Sequence, residues 1–283
     1  TAAASPSGSA APGGASAAGR AAELPRGGTS IFPEHFVVMH YGTAGSGALG
    51  VLGERPPEQA ARRLQQVADT WERPIDREVL PAFELITTVA SSRPGRDGTY
   101  STTLDVDTVK RYLAAARKHK MLLVLDFQPG RASFLEQVKK YEEILREPEV
   151  GVALDPEWKL TATQRPLRQI GTSKAAPINE VSEYLAGIVR DHDLPEKIFM
   201  IHQFKVYQLP DRKKIADREG LATVLHVDGF GTQKEKFLTY DVLASRDKQF
   251  VNGFKLFYDE DTDLLTPSEV ARIKPRPELV SYQ

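Results

Sequence analysis

The sequence contains no cysteine among its 283 residues. Disulfide bonds, thiolate metal ligands and cysteine nucleophiles are therefore excluded from its stability and its chemistry. The absence of cysteine does not by itself assign a compartment.

An excess of charge of either sign is also missing. Lys and Arg number 37 against 38 Asp and Glu, a formal net charge of −1. Without a global positive field, we expect no nucleic-acid partner. No run approaches the roughly 20 apolar residues that a membrane-spanning helix needs, so we expect no transmembrane span. The 41% of hydrophobic residues is enough for a sizeable globular core.

Large side chains are scarce at the start of the chain. Of residues 1–22, all but Thr1 and Arg20 are Ala, Ser, Gly or Pro. Such a segment buries too little surface to order itself, and we expect residues 1–30 to form a flexible tether. Because the chain begins with Thr rather than Met, we expect a mature exported protein, secreted or held at the cell surface, with a possible lipid anchor upstream of residue 1. The alternative is a trimmed chain with a natural disordered tail.

Eight short β-rich runs follow the tether. They lie at 35–42, 81–90, 121–127, 150–155, 197–204, 221–230, 250–258 and 278–283. Most are near-continuous apolar runs, which is typical of parallel strands that are covered on both faces.

Helical patterns separate these strands. They are predicted at 56–71, 107–120, 178–190, 210–218 and 234–245, and two more begin with the capping-box spacing at Ser133–Glu136 and Thr266–Glu269. Eight strands that alternate with helices predict a single (β/α)8 TIM barrel over residues 31–283. An open, doubly wound sheet is the alternative.

Polar side chains cluster where the predicted strands end. The strands carry or end in His40, Tyr41, Glu84, Asp126, Gln128, Asp155, Glu157, His202, Gln203, His226, Asp228, Lys255, Tyr258, Asp259 and Tyr282. Burying charge costs several kcal/mol unless the charge is paired or used. In a TIM barrel the catalytic groups come from these carboxyl ends, so we expect a polar site at the barrel mouth.

The fourth strand leads into "ALDPEW", which carries two acids close together. If the strand continues, Asp155 and Glu157 share one face at a spacing of roughly 6.5–7 Å, with Pro156 facing away. Crowded carboxylates raise the pKa of one partner, which can then act as a general acid near neutral pH, as glycoside hydrolysis requires. Trp158 and other aromatics at the strand ends could supply flat faces for sugar rings.

This motif resembles the fourth-strand Asp-x-Glu of barrel glycoside hydrolases, notably the chitinase-type enzymes of family eighteen and the lysozymes of family twenty-five. The resemblance implies that Glu157 is the acid and that Asp155 positions the substrate. The longer chitinase pattern would place Asp at two earlier positions, where this sequence has Val150 and Ala153.

We therefore expect an exported glycosidase that acts on an extracellular or cell-wall polysaccharide without a cofactor or metal. Glu157 and Asp155 are the expected catalytic pair, with Asp228 as the second carboxylate and Glu84 or Asp126 as alternatives. The other polar residues at the strand ends, together with Trp158, are expected to bind substrate. Two alternatives stay open. One is a barrel that binds carbohydrate without cleaving it. The other is a metal-dependent hydrolase whose ligands come from Asp126, Asp155, Glu157, His202, His226 and Asp228.

The stretch "GSGALG" (45–50) matches a dinucleotide-binding fingerprint, whose last glycine should open a helix, but here Val51 to Pro57 follow that glycine instead. We therefore expect a flexible loop over the mouth instead.

Overall fold

A computed structural model describes residues 22–283 of the chain. Its strands are β1 (His35–Gly42), β2 (Glu78–Ala90), β3 (Ser101–Thr103), β4 (Leu122–Phe127), β5 (Val150–Leu154), β6 (Lys197–Gln203), β7 (Leu221–Val227), β8 (Val251–Leu256) and β9 (Leu279–Tyr282).

Eight of these strands form a closed parallel barrel. Neighbouring strands pair in the order β1-β2-β4-β5-β6-β7-β8-β9, and β9 pairs back onto β1. The remaining strand, β3, lies outside the barrel order and pairs antiparallel with β2. The (β/α)8 barrel is confirmed, and the closure excludes the open sheet.

The helices are α1 (Pro57–Asp69), α2 (Glu72–Ile75), α3 (Val106–Lys118), α4 (Phe134–Lys139), α5 (Glu142–Leu145), α6 (Ala175–Asp191), α7 (Gln233–Leu243) and α8 (Pro267–Val270). Both predicted capping boxes are confirmed: Ser133 with Glu136 begins α4, and Thr266 with Glu269 begins α8. No helix within residues 22–283 is long and apolar enough to cross a membrane.

One predicted helix is wrong. Residues 210–218 contain only a single 3-10 turn, Arg212–Lys214, so β6 is joined to β7 without an α-helix. The side chains of this segment are engaged with other elements instead. Asp211 accepts a hydrogen bond from the N–H of Ala175, the first residue of α6, and Arg212 donates to the carbonyl of Leu243 at the end of α7. Tertiary contacts have outweighed local helical propensity here.

Along each barrel strand, successive side chains point alternately into the barrel and towards the helices. Residues 37 and 39 of β1 belong to the core inside the barrel, whereas residues 36 and 38 pack against the surrounding helices. The same alternation holds around the barrel, and the inner positions are apolar at the amino ends of the strands. Polar residues take over the inner positions towards the carboxyl ends, which positions the site described below.

Most of the predicted tether (1–30) lies outside the described residues. Of the remainder, Leu24 is buried in the inner core, and Arg26 donates to the carbonyl of Val79 at 2.8 Å. The domain boundary itself stays a prediction.

Candidate active site

A cavity of about 370 Å³ opens at the carboxyl ends of the barrel strands. This volume lies in the range of small-molecule binding sites. Seven of the predicted site residues line it: Tyr41, Gln128, Asp155, Glu157, Trp158, Asp228 and Lys255.

Asp155 and Glu157 reach the cavity by a different route from the predicted one. β5 ends at Leu154, and Pro156–Trp158 form a 3-10 turn. The ring of Pro156 fixes φ and removes an N–H, which ends the strand ladder. Asp155 caps the turn by accepting a hydrogen bond from the N–H of Glu157 at 3.1 Å. The predicted continuation of the strand is therefore wrong, although both acids still line the cavity.

A buried polar layer lies in the barrel around the base of this cavity, and His202 is at its centre. Its Nε2 lies 2.8 Å from Oε1 of Glu84, and its Nδ1 lies 3.0 Å from Oδ2 of Asp228. Asp126 is further away, at 3.9 Å from Nε2. His202 thus bridges carboxylates that are supplied by strands on different sides of the barrel.

The charge state of His202 follows from these contacts. Burial alone lowers its pKa, but the charges of Glu84 and Asp228 and their hydrogen bonds outweigh burial and raise the pKa well above its usual value. His202 is accordingly an imidazolium at neutral pH, with an N–H for each of the two carboxylates.

His226 is the neutral counterpart of His202. The two rings stack with centroids 5.1 Å apart, and Nε2 of His226 lies 2.6 Å from Oγ of Ser281. Burial, followed by the positive charge of His202, lowers the pKa of His226 well below its usual value. A protonated His226 would place two cations face to face.

Burial shifts three acids of the site towards their protonated forms. Burial raises the pKa of Asp126 to about 7 and holds the pKa of Asp155 well above its ordinary value. Burial, aided by the charge of Asp228, raises the pKa of Glu157 to about 7, while Lys255 and His202 act in the opposite direction. Of the three, only Glu157 is partly exposed. Glu157 therefore combines a near-neutral pKa with access to the cavity.

Tyr41 and Lys255 form another side of the cavity. Nζ of Lys255 lies 3.5 Å from the centroid of the Tyr41 ring, and Gln128 donates to the Tyr41 hydroxyl at 3.2 Å. Burial, followed by the charges of the nearby acids, raises the pKa of Tyr41 well above its usual value. Tyr41 is therefore a neutral phenol at the mouth.

Nine predicted substrate-binding residues do not line the cavity. Four of them, Glu84, Asp126, His202 and His226, belong to the buried polar layer, and the other five are His40, Gln203, Tyr258, Asp259 and Tyr282. Of these, His40 is buried against the rings of Tyr258 and Tyr282 in the outer layer. Gln203 is buried and hydrogen-bonded to the loop that follows it.

Strand alternation explains most of these positions. Tyr41, His202 and Ser281 occupy inward positions, so their neighbours His40, Gln203 and Tyr282 face the helices. Asp259 follows β8 on the surface and is exposed. These side chains do not line the central cavity.

Several residues of the site were not among the predicted ones. The cavity lining also includes Leu49, Phe204, Lys205, Phe230 and Phe257. The inward parity of β8 would have identified Phe257, two residues after Lys255. Nothing in the local pattern marks the loop residues Leu49 and Lys205.

The glycine-rich stretch after β1 forms two short 3-10 turns, Gly47–Leu49 and Val51–Glu54, before α1 begins at Pro57. A side chain at Gly50 would lie 2.4 Å from the carbonyl oxygen of Tyr41. This close packing, rather than a nucleotide, accounts for a glycine at that position. Leu49 brings the loop to the cavity, as expected of a mouth loop.

The metal-dependent alternative requires several ligands around one point. Within residues 22–283, no group of three or more His, Asp or Glu side chains is arranged to hold a metal ion.

No protein-family description matches this chain, and no curated protein is significantly similar to it in sequence. Among solved structures, it is similar to the catalytic domain of alkaline cellulase K, with a TM-score of 0.37 and 12% identity. The match covers 70% of this chain and 52% of the cellulase chain, so this protein spans about half of that structure's length.

Proposed function

We propose that this protein is an exported glycoside hydrolase that cleaves a polysaccharide outside the cell by carboxylate acid–base catalysis. The observation that carries the proposal is that Glu157 and Asp228 line the same cavity at the barrel mouth. The charge of Asp228 contributes to the raised pKa of Glu157, so the two groups interact. One protonated and one ionised carboxyl group is the combination that glycoside hydrolysis uses.

Glu157 is the general acid in this account. Its pKa of about 7 leaves a large protonated fraction at neutral pH, and its partial exposure lets it reach a glycosidic oxygen. Proton donation to that oxygen lets the sugar leave as an alcohol rather than as an alkoxide.

Asp228 is the second carboxylate, acting as base or nucleophile. Its Oδ2 accepts from the His202 imidazolium, whereas its Oδ1 has no hydrogen-bond partner among the described residues. Asp155 has a different role because its raised pKa keeps it protonated and its Oδ1 holds the turn that carries Glu157. Asp155 is thus a positioning residue rather than the partner acid.

Aromatic side chains suit the cavity for sugar rings. Trp158, Phe230 and Phe257 line it together with the hydrogen-bonding groups of Gln128 and the acids. Phe230 is 65% exposed, so its ring is accessible to a ligand in the cavity. Polar groups that fix a ligand between apolar faces are typical of a binding cavity.

The export proposal is supported by the composition of residues 1–22, which predicts a tether. Fractionation of the natural host followed by immunodetection tests it. Detection outside the cytoplasmic membrane is expected, and recovery only from the cytoplasm would reject export.

The activity is tested by incubating the purified protein with a panel of polysaccharides and measuring reducing ends. Glu157→Gln is expected to lose about 10²- to 10⁴-fold in rate, the usual contribution of a general acid. Asp259→Asn is the matched control, because Asp259 is an exposed acid outside the cavity, and it should retain full activity.

Cleavage that survives Glu157→Gln would reject the assignment of the acid. Binding of a polysaccharide without any cleavage would instead favour the non-catalytic carbohydrate-binding alternative.

A further inference from the structure

Lys255 is a buried cation at the wall of the cavity. It lies on β8, is 3% exposed, and occupies an inward position next to Ser281 of β9. Its Nζ lies 3.5 Å from the centroid of the Tyr41 ring and 5.3 Å from that of Phe257. Aromatic faces stabilise an ammonium group, but only partly replace the water that burial removes.

The ammonium of Lys255 has no ion-pair partner within the described part of the chain. No carboxylate oxygen of those residues lies within 4.0 Å of its Nζ, and no hydrogen bond joins it to them. Glu84 and Asp228 each place one carboxylate oxygen against His202 rather than against Lys255.

Lys236, a second buried lysine of this barrel, has the ion-pair and hydrogen-bond partners that Lys255 lacks among the described residues. Its Nζ lies 2.8 Å from Oδ2 of Asp261 and donates to the carbonyls of Gly229 and Lys255. Lys255 has none of these contacts and lines the cavity instead.

The remaining acids of the site interact with Lys255 only through space. The charge of Lys255 acts to lower the pKa of Asp126 and of Glu157, but burial raises both to about 7. Near neutral pH these acids are therefore only about half ionised, and neither forms an ion pair with the ammonium. An anionic group in the cavity would supply the missing partner.

We propose that Lys255 binds an anionic substituent of the substrate, so that the glycan this cavity accepts carries a carboxylate or sulfate on its sugars. The ammonium would donate to that substituent while Trp158 and Phe257 provide apolar faces for the ring. This inference rests on the proposed glycosidase function and narrows its substrate class to acidic glycans.

The test measures binding rather than turnover, using the Glu157→Gln protein so that glycans stay intact. The protein is first applied to an array that holds neutral, uronate-bearing and sulfated oligosaccharides. The best acidic ligand is then compared by calorimetry with its neutral counterpart, in which the carboxyl group is reduced to an alcohol or the sulfate is removed. The acidic form is expected to bind about 10- to 100-fold more tightly, the usual worth of a hydrogen bond to a charged group.

Lys255→Met in the same background is expected to remove this preference while the affinity for the neutral counterpart changes little. Lys234→Met is the matched control. Lys234 is an exposed lysine of α7 that does not line the cavity, so its loss should change the affinity less than about fivefold. Circular dichroism of each variant checks its fold, and the ligand comparison on the unsubstituted Lys255 protein stands even if Lys255→Met does not fold.

The outcomes separate the two proposals. Equal or tighter binding of neutral glycans, or an acidic preference that survives Lys255→Met, overturns the role of Lys255 but leaves the glycosidase proposal in place. Failure to bind any glycan rejects both. A preference for uronates over sulfated sugars, or the reverse, identifies which anion the site takes.

Discussion

Glu157 is the residue on which the chemistry depends, and its raised pKa has a consequence for stability. Between pH 4.5 and about 7, the folded protein holds a proton at Glu157 that the unfolded chain has lost. Folding is therefore disfavoured progressively as the pH rises through this window, because ionising Glu157 in the cavity costs free energy that ionising it in water does not.

Glu157→Gln removes this penalty. We expect the variant to gain stability relative to the parent as the pH is raised from 4 to 8, by up to about 3 kcal/mol for a shift of this size. Urea unfolding of both proteins across this pH range measures the difference. A constant difference would contradict the raised pKa of Glu157.

His202 contacts both Glu84 and Asp228 inside the barrel, so we expect its substitution to destabilise the fold. His202→Leu leaves two buried carboxylates without their cation and should cost about 3–5 kcal/mol of unfolding free energy. The control His192→Leu alters an exposed histidine at the end of α6 and should stay within about 0.5 kcal/mol. A small loss at His202, equal to that of the control, would show that the bridge is not charged.

At the scale of elements, the loops after β7 and β8 are joined by one buried ion pair. Lys236 of α7 contacts Asp261 and the carbonyls of Gly229 and Lys255, and Asp261 accepts hydrogen bonds from the N–H groups of Gly231 and Phe257. This pair therefore fixes the backbone next to Asp228 and at Lys255.

Lys236→Met is expected to destabilise the protein by about 3–5 kcal/mol, since it leaves Asp261 buried and unpaired. Adding Asp261→Asn should recover part of that loss, because the second change removes the stranded charge. Lys234→Met, at an exposed lysine of the same helix, is the control. Additive losses in the double variant would argue against direct coupling of the pair.

The strands and helices were easier to predict from the sequence than the side chains that line the cavity. The apolar runs and capping boxes are local signals, and they located the barrel strands and the starts of α4 and α8. The choice between His40 and Tyr41, or between His202 and Gln203, depends on which side of the strand faces the barrel interior. Met39 and Met200 lie in the inner core, and Tyr41 and His202 follow them two residues later, so Tyr41 and His202 also face inward. Looking only for polar residues at the strand ends does not use this two-residue spacing.

Other features depended on distant contacts. The segment 210–218 resembles a helix locally, but Asp211 and Arg212 are committed to α6 and α7. The pairing of His202 with Glu84 joins residues 118 positions apart, and no local pattern records it.

At the scale of the whole molecule, the barrel interior changes from apolar to polar along its axis. Leu24 and Ile31 join the inner apolar core, whereas the acids and histidines gather near the cavity. Burying the polar cluster costs free energy of folding. The burial of apolar side chains in the inner core and beneath the helices offsets this cost.

A truncation series tests where the folded domain begins. Removal of residues 1–21 is expected to leave the melting temperature unchanged, whereas removal of residues 1–30 should lower it, because Leu24 and the Arg26 hydrogen bond are lost. Loss of a buried leucine typically costs about 2–5 kcal/mol. Equal melting temperatures for the two truncations would place the boundary at residue 31, as the sequence predicted.

The central claim is that Glu157 donates a proton to a glycosidic oxygen, and leaving-group dependence tests it most directly. The measurement compares Glu157→Gln with the parent on the natural glycan and on an aryl glycoside whose dinitrophenolate leaves without protonation. The account predicts a loss of about 10²-fold or more on the natural glycan and little loss on the aryl glycoside. An equal loss on both substrates would contradict the assignment of Glu157 as the general acid.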